Sequence, residues 1–173
     1  MRVLGMTLLV LAVAGPAGAA EQTLAEAAMT VENAYVRCVI GRDGKTLHFV
    51  DRATGADVAR PGAPCARVRK GAKEYPAASA AFADGRLTLG FGEAGVTAVV
   101  RVAAEKEALL FTVVSVQGES VDELTFVEIP LSLKGAPDET FGACALALNL
   151  KTRVPEVPGT STRLRAMCYP RFG

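Results

Sequence analysis

A single histidine, His48, leaves acid–base chemistry in this chain largely to carboxylates. By position the candidates are Glu93, Asp122, Glu123 and Glu128. Glu128 is the least ordinary, because it interrupts the apolar run Leu124-Thr125-Phe126-Val127-Glu128-Ile129-Pro130-Leu131. It alternates with Phe126 and Leu124 and lies near a strand end, where a charge is expected to be solvated. Carboxylates that cleave glycosides work as a placed pair, and no such pair is evident. No catalytic residue is assigned.

Sugar recognition needs an aromatic face to stack on a ring and polar groups around it. Tryptophan is absent, and tyrosine occurs only at Tyr35, Tyr75 and Tyr169. Tyr35 alternates with Arg37, so the two can face solvent together; a buried tyrosine with a bonded hydroxyl is the competing reading. His48 alternates with Thr46 and Val50, and a lone strand histidine is usually structural. Tyr35, Arg37, His48 and Glu128 are the binding candidates.

Other chemistry is excluded by motif. Gly-x-Ser-x-Gly, a phosphate-cradling loop and His-Glu-x-x-His are all missing. Gly90-Phe91-Gly92 is half a dinucleotide fingerprint, without the third glycine or the following helix, so no cofactor is expected. The cysteines Cys38, Cys65, Cys144 and Cys168 allow three disulfide pairings. Cys38, Cys144 and Cys168 each alternate with apolar neighbours and would also pack as small hydrophobes, whereas Cys65 follows Pro64 in a loop. Their wide spacing and the lone histidine argue against zinc, and no metal is expected.

The elements that must position these residues are strands. Val31–Ile40 and Thr46–Asp51 are rich in β-branched and aromatic residues and flank an Asp43-Gly44 turn. Further strands are expected at Ala77–Phe82, Leu87–Phe91, Val96–Val102, Leu109–Val116, Leu124–Leu131, Phe141–Leu150 and Ser161–Tyr169. Leu109–Val116, apolar on both faces, has the pattern of a central strand. Glu21–Ala28 is expected to be a helical turn or a disordered lead-in. Gly and Pro recur too often for a long helix. The expected fold is an all-β, antiparallel β-sandwich.

Residues 1–20 have the pattern of a secretory leader: Arg2, an apolar stretch from Val3 to Gly15, Pro16, then Ala17-Gly18-Ala19-Ala20. The mature chain, 21–173, is expected to be secreted or periplasmic, with no stable membrane span after cleavage. Loss of Arg2 leaves eighteen basic side chains against eighteen acidic. Such a balance gives no electrostatic footprint for nucleic acid. Arg67, Arg69, Lys70 and Lys73 form the densest basic patch, read as a solvated strand edge because no second basic cluster supports it. The chain stops beside a predicted strand, so the sandwich is expected to be incomplete at its C-terminus and to be the N-terminal part of a longer protein.

The phrases Glu32-Asn33-Ala34-Tyr35-Val36-Arg37, Asp43-Gly44 and Asp51-Arg52-Ala53-Thr54-Gly55 resemble the opening of a galactose-mutarotase-like super-sandwich domain. Phe91–Val96 and Leu124–Leu131 resemble its middle strands. Such domains stand at the N-terminus of secreted glycoside hydrolases and polysaccharide lyases. The resemblance implies a non-catalytic accessory domain whose partners are a polysaccharide or a following catalytic domain. A stand-alone secreted interaction module is the alternative.

Overall fold

The computed structural model describes residues 26–134, 136, 138–155 and 163–170. The expected leader lies outside them, as do residues 161 and 162 at the start of the last predicted strand. The chain is all-β and sandwich-like, built from three antiparallel sheets. Among the described residues no helix is long and apolar enough to cross a membrane.

The first sheet has the order β1 (Ala27–Glu32), β2 (Val36–Gly41), β3 (Thr46–Asp51). The single strand expected over Val31–Ile40 is thus two strands, and the expected helical lead-in becomes strand from Ala27. The break falls at Asn33, whose Oδ1 accepts the backbone N–H of both Tyr35 and Val36 at 2.9 Å. An asparagine that offers the backbone this local partner competes with the ladder and turns the chain. The Asp43-Gly44 turn forms as expected. Gly44 sits at φ +73°, and a Cβ there would meet Ala77 at 2.9 Å, so only glycine fits.

The second sheet runs β11 (Thr152–Arg153), β12 (Arg163–Cys168), β10 (Glu123–Pro130), β4 (Arg67–Lys70), β5 (Lys73–Pro76). The third is a meander of β6 (Ser79–Ala83), β7 (Arg86–Gly90), β8 (Thr97–Ala104) and β9 (Leu109–Gln117). Between β7 and β8 a 3-10 turn spans Gly92–Ala94.

All three sheets feed one core. Met29, Cys38, Ile40 and Phe49 come from the first, Val68, Leu124, Ile129 and Leu164 from the second, and Leu87, Leu89, Ala98 and Val100 from the third. Full burial of a Leu or Val side chain stabilises the fold by about 2 kcal/mol. Period-two burial holds well on β8, where Ala98, Val100 and Val102 are buried as expected, with Val96 just ahead of them. The segment 57–66 stitches the first two sheets together. It runs along the free edge of β3, with Val58 N donating to Phe49 O at 2.9 Å, and Cys65 O then accepts Glu128 N at 2.7 Å.

Three expectations fail here. β9 lies at an edge of its sheet rather than in the middle, with Val114 half exposed. Phe141–Leu150 forms no strand: Phe141 packs edge-on against Phe49, but Leu146, Leu148 and Leu150 point to solvent. The basic segment Arg67–Lys70 is an interior strand between β10 and β5, not a sheet edge.

Candidate functional site

The sequence-predicted binding residues fall on two different sheets. Tyr35, Arg37 and His48 belong to the first. Arg37 pairs with Val50 and Val39 with His48, so Arg37 and His48 share the face opposite the core. Tyr35 precedes β2 and is 52% exposed, which removes the buried-tyrosine reading. From Tyr35 to Val39, opposite His48, the chain advances about 13 Å.

His48 is not alone on this face. Its Nδ1 lies 2.6 Å from Oδ2 of Asp57, a residue that sequence reasoning missed. Oδ1 of Asp57 accepts the backbone N–H of Phe49 at 3.0 Å and of Ala59 at 3.1 Å. The carboxylate is thus anchored to the backbone and presents one oxygen to the imidazole. Asp57 follows the Thr54-Gly55 turn, a position that reads as loop, so only the fold reveals the pair.

The same turn explains the phrases that carried the resemblance. Asp51 Oδ1 accepts Ala53 N at 2.9 Å, and Asp51 Oδ2 accepts the Thr54 hydroxyl at 2.5 Å. The Thr54 hydroxyl, followed by the Ala53 N–H, holds the Asp51 carboxyl below its ordinary value. Arg52 then joins this turn to the Asn33 turn: its N–H donates to Tyr35 O at 2.8 Å, and its guanidinium donates to Asn33 O. The two side-chain-capped turns therefore hold the start of β2, and Tyr35 with it.

Glu128 is on the second sheet and is not solvated: its side chain is only 7% exposed. Arg67 Nε donates to Oε2 at 2.6 Å, and Arg163 Nη1 stands 3.7 Å from Oε1. Arg165 lies directly across the ladder. A buried carboxylate without such partners would cost several kcal/mol, so the arginines explain its tolerance. Glu123 holds Arg69 Nη2 at 3.4 Å two rungs away, beyond the Arg67–Thr125 rung. Among the described residues, the side chains of Arg67 and Arg163 meet the Glu128 carboxylate, so the group organises arginines.

The four cysteines are free thiols. Cys65 is buried in the core, contrary to its loop-like sequence context, and Cys144 is exposed rather than packed on an apolar face. Burial pushes Cys38 and Cys65 up to about 12 and Cys168 up to about 11, so these three are protonated and poor nucleophiles at neutral pH. No cluster of three or more His, Cys, Asp or Glu suited to a metal occurs among the described residues.

The chain matches no protein-family model, no curated protein and no solved structure.

Proposed function

We propose that this chain is an exported, non-catalytic β-sandwich accessory domain of a carbohydrate-active protein, and that it contributes to polysaccharide binding. The observation that carries the reading is the face of the first sheet. There an exposed tyrosine, held at the head of β2 by two capped turns, stands about 13 Å along the strand from the level of the His48–Asp57 pair, with Arg37 between them in the chain. One ring for stacking and a short row of fixed donors and acceptors is the arrangement that sugar surfaces use. The galactose-mutarotase-like phrases and the leader pattern support the same reading. Buried thiols, a lone histidine tied to Asp57 and an arginine-clamped Glu128 favour binding over turnover.

Affinity electrophoresis of the mature chain through gels carrying neutral or acidic polysaccharides tests this. Retardation by at least one polymer is expected, weakened threefold or more by Tyr35→Ala or Arg37→Ala. Free migration through every polymer would leave the domain a structural or interaction module.

A further inference from the structure

The basic patch Arg67–Lys73 has the second cluster that its sequence neighbourhood lacks, because strand order supplies one. β10 lies between β4 and β12, so register places the arginines of three strands on one sheet face. One rung carries Glu74, Arg69 and Glu123; the next carries Arg67, Thr125, Met167 and Arg153. Glu128 and Arg165 form the third, with Arg163 beyond them. This face is opposite the core, which takes Val68, Leu124, Leu164 and Ala166 from the alternate positions.

We propose that this face binds a carboxylate-bearing polysaccharide. The inference rests on the polysaccharide reading above but concerns a different sheet. Five arginines, at 67, 69, 153, 163 and 165, stand against three glutamates, at 74, 123 and 128. Glu128 and Glu123 fix arginine heads that would otherwise be mobile, and an arginine bonded through Nε still carries four further N–H donors. Planar forks held in place match carboxylates in a bidentate manner. Arg67 and Arg153 stand three strands apart on one rung, about 14 Å, with the buried Thr125 and Met167 between them, and the glutamates lie on the rungs to either side. A nucleic acid is disfavoured by the balance of the chain as a whole, eighteen basic against eighteen acidic side chains once Arg2 is removed.

The test uses the whole mature chain and three probes: polygalacturonate, a neutral β-glucan and a double-stranded DNA 30-mer. Polygalacturonate is expected to retard the protein, and Arg153→Gln with Arg163→Gln to weaken that binding at least fivefold. Both side chains are exposed, and Arg67 still holds the Glu128 carboxylate at 2.6 Å when Arg163 is replaced, so the far-UV spectrum should not change. Should the double variant misfold, Arg153→Lys with Arg163→Lys is the substitute; it keeps charge but loses the fork, and a threefold weakening is expected. Unchanged polygalacturonate binding in the folded variant overturns the proposal, and so does equal retention by DNA. Binding to the neutral glucan alone overturns it while leaving the accessory role standing. No retention by either polysaccharide removes both.

Discussion

On the first sheet Asp57 meets His48 with both side chains more than a third exposed, whereas on the second Glu128 meets Arg67 with the carboxylate almost dry. Both acids sit on a sheet face turned from the core, and both have a base within 2.6 Å. They differ in what else holds them. Asp57 is fixed by two backbone N–H groups, so its imidazole partner is an addition. Glu128 is held by guanidinium groups from strands on either side, so its partners are a condition of burial. Exposed pairs contribute little to stability, while breaking a buried one leaves a charge that cannot be solvated. The first face therefore carries a pair that can exchange partners at little cost. The second has an internal acid whose service is to position arginines.

The sharpest way to break this contrast is Glu128→Ala. Removing the carboxylate takes away the acid that Arg67 and Arg163 share across β10, and a loss of about 3 kcal/mol is expected from urea unfolding. A cost below about 1 kcal/mol would mean that water reaches this position and that the two faces are alike. On the first sheet the same logic separates acid from base. Asp57→Ala forfeits two backbone hydrogen bonds and should cost about 2 kcal/mol, whereas His48→Ala should cost less than about 1 kcal/mol. Equal costs for the two would make the imidazole, not the backbone, the anchor of Asp57.

The contrast also shows what was legible before the fold was known. Alternation along β8 and over Arg163–Ala166 of β12 and the Asp43-Gly44 turn are local signals, and the structure follows them, whereas Met167, on the polar side of the pattern, is buried. Glu128 was misread for two reasons. A register shift between Thr125 and Val127 alters its parity, and its nearest partner, Arg67, is 61 residues away. The edge position of β9 and the fate of Phe141–Leu150 were hidden for a related reason. Period-two patterning says which face is apolar but not which strand supplies the hydrogen bonds. In Phe141–Leu150 the alternation persists only as far as Ala145, with Phe141, Ala143 and Ala145 half-buried; from Leu146 to Leu150 every residue is exposed, so burial there returns little. Asp57 was missed because it stands in a loop, and a loop acid shows its role only when the strand histidine beside it is located.

Acid sharpens the comparison by the smallest margin. Asp51 closes the turn that supports Tyr35, and the Thr54 hydroxyl keeps its folded value below the ordinary 3.8. Asp43, held down chiefly by its bond to Lys45, behaves likewise. A carboxyl whose folded value lies below its unfolded one binds more protons when unfolded. Its contribution is present in full above the unfolded value and is lost as pH falls through the folded one. Stability should hold from pH 7 to about 5 and decline below about 4. The gap between the urea midpoints of wild type and Asp51→Asn should therefore narrow between pH 6 and pH 2.5. A gap that stays constant would show that Asp51 acts through shape alone, and that the turn beneath Tyr35 needs an acceptor there but no charge.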